Sequence, residues 1–233
     1  MKVMVTLPTY NEADNIEPLI AELLALRDEL EVVVVDDDSP DGTWRKVAEL
    51  AQSNKRVHLI HRTDQRGRGS AGVVGFKYAM EAGAEYIVEM DADFSHQPRF
   101  LPALLQAAEN ADVVVGSRLI KGGGESGRKL VRNWITRLGN LYARLVLGVR
   151  IRDCTSGYRV FRRAAFEAVD LDTLTANGPA IIQETLMACH RKGLRICEAP
   201  IWFEERRAGD STFNWRILLS GFCAVWRFRF RKW

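Results

Sequence analysis

Cysteine is scarce and badly placed for metal or disulfide chemistry. The 233-residue chain holds four, Cys154, Cys189, Cys197 and Cys223, and no two form a C-x-x-C pair. This excludes a zinc ribbon and gives no disulfide framework, so the thiols read as reduced. Long apolar runs are also missing. The longest, Ile217–Trp226, has ten residues, roughly half of what a helix rising ~1.5 Å per residue needs to span a bilayer core. The opening MKVMVTLP runs straight into a strand-like segment, without the pattern of a cleavable leader. There is no internal repeat and no low-complexity linker. A disordered or collagen-like chain is excluded, because 47% of residues are hydrophobic and 27% charged. That length and composition support one substantial core without staples.

Net charge is small, at +3, but uneven. Residues 118–163 hold 12 basic side chains against two acidic ones, Glu125 and Asp153. Residues 206–233 hold seven against one, Asp210. An acidic body therefore carries a basic second half, which points to anionic partners such as phosphates or a lipid surface. Behind the ten-residue apolar run stand Arg227, Phe228, Arg229, Phe230, Arg231, Lys232 and Trp233. Mixed aromatic and basic residues after a short apolar helix suit interfacial attachment; a helix packed on the body with a frayed basic end is the other reading.

Strand and helix alternate along the first half. The pattern predicts strands at Val3–Leu7, Glu31–Val35, Val57–Ile60, Tyr86–Met90 and Val113–Val115. It predicts helices at Asn15–Leu26, Thr43–Ala51, Ala71–Ala82 and Pro98–Ala108. Short β-branched runs such as VVVV at 32–35 suit strands buried on both faces. The fold class is α/β, with a mainly parallel central sheet and helices on both faces. Residues 121–127 read as a flexible glycine loop, followed by an amphipathic helix over Lys129–Leu147, a turn, and a strand near Ser156–Phe161.

In a parallel sheet, ligands bind beyond the carboxyl ends of the strands. Strand one ends in Pro8-Thr9-Tyr10-Asn11-Glu12, strand two in Asp36-Asp37-Asp38-Ser39-Pro40-Asp41-Gly42-Thr43, and strand four in Asp91-Ala92-Asp93. Crowded carboxylates need a compensating cation or donors. Asp91 and Asp93 suit a hard divalent ion, Mg²⁺ or Mn²⁺, held by few carboxylates plus phosphate oxygens. Asp37 or Asp38 suits a ribose or base. Ser39, Pro40 and Gly42 read as turn and cap chemistry.

Gly67–Gly72 matches G-x-G-x-x-G, the dinucleotide fingerprint. It is rejected because residues 61–66 separate it from the preceding strand, whereas that motif starts at the strand end. A phosphoryl-transfer hydrolase with Asp91 as nucleophile and Asp93 as acid is a minor alternative. The basic stretches lack a nucleic-acid-binding module and the strand ends are acidic, so nucleic acid is not an expected partner.

Taken in order, PTYNE at 8–12, VVVVDDDSPDGT at 32–43, DADFSHQP at 91–98, GSR at 116–118 and DCTSGYR at 153–159 resemble family 2 glycosyltransferases. With the KGGG loop and FEERRAGDS at 203–211, they are most similar to the dolichol-phosphate and polyprenol-phosphate mannose synthases. The resemblance implies an A-type glycosyltransferase fold, a single Rossmann-like domain over residues 1–212. Within it, 1–117 would hold the nucleotide sugar and 118–212 the acceptor. Residues 213–233 would form an amphipathic, membrane-interfacial C-terminal helix.

The resemblance also implies roles. Pro8, Tyr10, Glu12, Val35, Asp37, Asp91, Ala92 and Asp93 match donor-binding positions, and Arg206 a contact to the donor diphosphate. Asp93 matches the metal ligand, with Asp91 beside it; Ser95 stands where some relatives place a metal-reaching Gln. Thr212 replaces a usual Lys. Arg118, Arg132 and Thr136 match positions for the acceptor phosphate, and Glu184 falls near an acidic position on a following helix. The implied reaction is inverting transfer of mannose from GDP-mannose to a polyprenyl monophosphate. Alternatives are glucosyl transfer from UDP-glucose and a non-catalytic nucleotide- or lipid-phosphate-binding module. The expected setting is the cytoplasmic face of a membrane, peripherally, alone or with a separate anchoring protein. An acceptor phosphate is mostly dianionic at neutral pH, having a second pKa of about 6. It needs cations to position it rather than a strong base, which fits the lack of an obvious catalytic His.

Overall fold

The computed structural model describes residues 1–127, 130–204 and 215–231, excepting the side chains at 130–132 and 215–220. In chain order, β1 (Val3–Thr9), α1 (Ile16–Leu24), β2 (Leu30–Asp36), α2 (Thr43–Ser53), β3 (Val57–His61), α3 (Arg68–Glu81) and β4 (Tyr86–Glu89) alternate as the pattern predicts. There follow α4 (Leu101–Ala108), β5 (Val113–Ser117), β6 (Gly124–Glu125), α5 (Leu130–Leu147), β7 (Arg159–Arg162) and α6 (Arg163–Ala168). The chain continues through α7 (Ile181–Arg191), β8 (Ile196–Pro200), β9 (Trp202–Phe203) and α8 (Trp215–Phe230).

The main sheet runs β3-β2-β1-β4-β7-β5-β8. β7 lies antiparallel to both neighbours, and the other pairings are parallel. The VVVV run shows why it forms a central strand. Val32 and Val34 enter one apolar layer with α1 and α4 residues such as Leu19 and Leu104. Val33 and Val35 enter the opposite layer with Phe76 of α3 and Phe161. Alternating side chains so fill both faces, which only a strand sandwiched between helices allows. A third cluster joins α5, α7 and α8 through Ala143, Leu147, Met187, Val225 and Phe228.

The order reverses at β1, which has β2 on one side and β4 on the other. This reversal opens a crevice between the ends of β1 and β4. The expected flexible loop at 121–127 is partly ordered: β6 pairs with β9 in a two-stranded parallel sheet. Glycine is required there. A Cβ at Gly124 would come within 2.9 Å of the Trp202 ring, and Gly122 has φ +90°. β7 begins at Arg159 rather than Ser156 because residues 153–158 form a turn that side chains pin from several directions.

Candidate active site

Three strand ends converge, and each carries a strained residue. Asn11 after β1, Asp38 after β2 and Phe94 after β4 have φ of 61°, 56° and 63°. They are the non-glycine residues with positive φ among the described residues. Left-handed backbone at a bulky residue such as Phe is costly and clusters at functional sites.

The DxD pair sits at the end of β4. Arg68 at the start of α3 donates from Nε and Nη2 to Asp91 Oδ1, at 3.1 and 2.8 Å, and from Nη1 to buried Glu89 at 3.0 Å. Burial would lower its pKa, but the charges of Asp91 and Glu89 outweigh that and hold the guanidinium firmly protonated. Asp93 is buried, and its Oδ1 accepts the Ser95 amide at 3.0 Å. Ala92 and Ser95 are buried beside it. His96 is buried too, with Nδ1 accepting the Asp91 amide at 3.0 Å. Burial pushes it below the ordinary histidine range, against the pull of Asp91 and Asp93. Stacked on Tyr158 and edge-on to Phe203, it braces the DxD turn as a neutral ring.

On the β1 and β2 side, Tyr10 is exposed and faces the Arg66 guanidinium 5.3 Å from its ring centre. Pro8 and Glu12 are half-buried, and Glu12 accepts from Asn15 at 2.7 Å. Asp37 accepts from Arg62 Nε at 2.8 Å and from the Gly67 amide at 2.7 Å, so much of its capacity is committed inside the protein. Val35 is fully buried in the core, so any nucleotide contact there falls to its backbone. Asp36 and Asp41 shape the loop: Asp36 takes Thr9 and Ser39, and Asp41 takes Thr43 and Ala13. The glycines at 67–72 pack rather than bind. A Cβ at Gly69 would lie 1.8 Å from the Ala176 carbonyl oxygen, and the Gly69 amide donates to Asn177 O at 2.8 Å.

On the acceptor side, Arg118 is buried and engaged. Its Nε and Nη2 meet Asp153 at 2.7 Å each, Nη2 donates to Thr155 at 2.8 Å, and Glu125 lies 3.5 Å from Nη1. The guanidinium expected at the lipid phosphate is thus paired inside the protein, where the carboxylate of the DCTSGYR turn largely neutralises it. Asn140 of α5 links Thr136 O to Thr155 Oγ1, at 3.0 and 2.9 Å. Thr136 is half-buried one turn before Asn140. The Arg132 side chain and Arg206 lie outside the described residues, as does Thr212. Glu184 is not poised as a base. It is fully buried and accepts the amides of Thr175 and Ala176 and Arg231 Nη1 at 2.5 Å.

Next to Thr155 a largely apolar cavity of about 720 Å³ opens between α5, the 175–180 loop and α8, lined by Gly139, Ala143, Gly221 and Phe228 among others. Outside it, α5 exposes Trp134, Leu138, Leu141 and Leu145, each 51–70% accessible. The adjoining α8 exposes Phe222, Trp226 and Phe230. No helix among the described residues is long and apolar enough to cross a membrane.

The family model "Glycosyl transferase family 2" matches residues 4–170. The chain belongs to glycosyl transferase family 2. An undecaprenyl-phosphate mannosyltransferase of Micrococcus luteus is 40% identical over 94% of this chain and 90% of its own length. A polyprenol monophosphomannose synthase of Mycolicibacterium smegmatis is 38% identical over 91% and 81%. A dolichol-phosphate mannosyltransferase of Pyrococcus furiosus is 36% identical over all of this chain and 64% of its own. Among solved structures, glucosyl-3-phosphoglycerate synthase of Mycobacterium tuberculosis, with Mn²⁺, UDP and phosphoglyceric acid, has a TM-score of 0.70 at 20% identity over 97% and 76% of the two chains. That likeness supports the A-type fold of this family 2 glycosyltransferase.

Within the family 2 site, the donor set fits a hard divalent ion. Asp91 and Asp93 offer carboxylate oxygen, and no cluster of three or more His, Cys, Asp or Glu among the described residues would enclose an ion. Such a site leaves coordination positions to phosphate oxygens and water, as Mg²⁺ and Mn²⁺ accept.

Sequence reasoning missed Arg68, Arg62 and Asp153, the partners that neutralise the conspicuous charges. A signal existed for Asp153, since it and Glu125 are the two acids among the 12 bases of 118–163. Nothing local marked the partners taken by Arg68, inside Gly67–Gly72, or by Arg159, the last residue of DCTSGYR. The latter is fully buried and donates to the Ser156, Cys154 and Ile182 carbonyls, riveting the turn to α7.

Proposed function

We propose that the protein transfers mannose from GDP-mannose to a polyprenyl monophosphate, with inversion at the sugar carbon, while docked peripherally on the cytoplasmic face of a membrane. The observation that carries this reading is one juxtaposition. The DxD strand end lies across Arg118 and Thr155 from an apolar cavity, and that cavity borders two helices with exposed apolar stripes. A phosphate attached to a long prenyl chain needs that combination. The curated relatives named above support the same acceptor class.

The exposed Tyr10 ring suits stacking on the donor base, and the strand ends at Pro8, Glu12 and Asp37 suit its nucleoside. Asp91 and Asp93 would hold Mg²⁺ or Mn²⁺, which when bound supplies positive charge against the donor diphosphate. Arg206 would add to it. On the other side, Thr136 and Arg132 would orient the acceptor phosphate, with Arg118 contributing what field Asp153 leaves it. The dianionic phosphate oxygen attacks the anomeric carbon in line as the bond to the nucleoside diphosphate breaks. No proton has to move, which agrees with a neutral, structural His96 and a buried, paired Glu184. The first prenyl units would lie in the cavity between α5 and α8.

The test is transfer of label from radioactive GDP-mannose into the organic phase, with polyprenyl phosphate and either ion in detergent. Ion-dependent transfer lost in Asp93→Ala is expected. Label from UDP-glucose but not GDP-mannose would overturn the donor. No transfer from either, with nucleotide still bound, would overturn the enzyme.

A further inference from the structure

Between the end of β3 and the first residue of α3 stand three arginines, Arg62, Arg66 and Arg68. Two are taken: Arg62 by Asp37, and Arg68 by Asp91 and Glu89. Arg66 is exposed, and no carboxylate among the described residues pairs with it. Its guanidinium carbon lies 5.3 Å from the centre of the Tyr10 ring, and Nη1 reaches the Tyr10 hydroxyl at 3.4 Å. That is long for a hydrogen bond, so the fork is not committed there. The two distances put the guanidinium at the hydroxyl end of the ring rather than over its middle. The backbone that presents it is held from two sides. The Gly67 amide donates to Asp37 at 2.7 Å, and the Arg66 carbonyl accepts from Asn177 Nδ2 at 2.9 Å. A Cβ at Gly67 would lie 2.1 Å from Asn177 Oδ1, so the loop is seated closely against that residue.

Tyr10 is 46% exposed, and a base stacked on its ring meets Arg66 edge-on. Edge-on contact reads a pattern of donors and acceptors. A guanidinium fork offers two parallel N–H groups. Guanine answers with two adjacent acceptors, O6 and N7, whereas adenine sets an N6 donor beside N7. Uracil separates its two carbonyls by the N3–H donor, so no edge of it matches the fork. We infer that Arg66 is a specificity-determining residue for the donor. Its fork takes O6 and N7 of a guanine stacked on Tyr10, and so selects guanosine diphosphates over uridine and adenosine diphosphates. This rests on the proposed GDP-mannose donor and assigns the recognition of its base to one side chain.

The experiment measures binding of GDP, 7-deaza-GDP, ADP and UDP to the full chain by calorimetry with Mn²⁺. The deaza nucleotide differs from GDP only in carrying carbon in place of N7. The wild type is expected to favour GDP over ADP and UDP by roughly five- to a hundredfold, the discrimination of one bidentate pair. It should favour GDP over 7-deaza-GDP by a smaller factor. Arg66→Ala should weaken GDP most and bring it level with 7-deaza-GDP. Because Arg66 is exposed, that variant should keep the wild-type thermal midpoint. Arg45→Ala removes an exposed charge from the first turn of α2 and should keep the gap. Equal weakening of all four nucleotides by Arg66→Ala would mean attraction to the diphosphate or plain stacking, and would overturn the base reading. A gap between GDP and 7-deaza-GDP that survives in Arg66→Ala, or is absent from the wild type, would overturn it too. The two readings fail separately. Transfer from GDP-mannose with base preference unchanged in Arg66→Ala sinks the residue assignment alone. Absent transfer with an Arg66-dependent guanine preference sinks the activity alone.

Discussion

Asp153 shows how one residue sets the chemistry of another. It is fully buried, and burial alone would raise its carboxyl; the Arg118 charge and the hydrogen bonds from Arg118 outweigh this and hold it below the usual range. Its contribution to stability is therefore complete above the unfolded value of about 3.9 and is lost as pH falls through the lower folded value. Asp153→Asn leaves Arg118 buried without its bidentate partner, with Glu125 at 3.5 Å as the remaining close counter-charge. It should cost about 3–5 kcal/mol, read as a lower urea midpoint at neutral pH. Its stability should also fall less on acidification than that of the wild type. An unchanged midpoint would mean that solvent already screens the pair. Gly69 is sensitive for a different reason. Gly69→Ala would drive a methyl into the Ala176 carbonyl, so the 175–178 loop must part from α3. A stability loss of about 1–3 kcal/mol is expected, with a raised KM for the donor because Arg68 is the preceding residue.

At the scale of elements, the strands and their order of appearance were legible because buried β-branched runs allow few alternatives, as VVVV shows. The three strand-end motifs were legible as a site because the sheet rule places them together. What was not legible was pairing across distance. Asp153, 35 residues on from Arg118, stood out only as a rare acid in a basic stretch and not as its partner, and nothing near Gly124 announces the Trp202 ring that orders its loop. The helix α5 was legible, but its faces were divided only by the structure: Asn140, Ala143 and Leu147 inward, Arg137 and Arg144 to one flank, Leu138, Leu141 and Leu145 outward. The outward stripe makes a prediction of its own. Leu138 and Leu145 are 60 and 70% exposed, so charging them should leave thermal stability within error. Burying each leucine in lipid contributes about 1.5–3 kcal/mol. Leu138→Glu/Leu145→Glu should therefore abolish co-sedimentation with phosphatidylcholine vesicles. Retained binding would transfer the membrane contact to α8 alone.

Across the whole molecule, the proposed reaction would place nucleotide chemistry at the sheet, on one side of Arg118, and lipid chemistry at the helical elaboration on the other. On that proposal the cavity between α5 and α8 is where these halves would meet, and its size would limit what the acceptor gains from it. A cavity of about 720 Å³ holds only the first units of a prenyl chain; the rest must stay in lipid. Transfer should therefore improve with acceptor length over the first few isoprenes and then level off. Gly139 and Gly221 line this cavity from the two helices, and a Cβ at either meets nothing within 4 Å. Gly139→Leu and Gly221→Leu thus meet no obstacle at Cβ, direct the added side chain at the cavity and, as replacements of glycine within helices, stabilise each by about 0.5–1 kcal/mol. Thermal midpoints should be equal or higher. The shortest acceptor phosphate should be used as well as by the wild type, while the gain with length disappears and KM for long acceptors rises. If both variants keep the full length dependence, the prenyl chain takes another route and the cavity has no part in acceptor binding. If the short acceptor fails as well, the filling side chains have reached the phosphate, placing it closer to Gly139 than the Thr136–Thr155 arrangement implies.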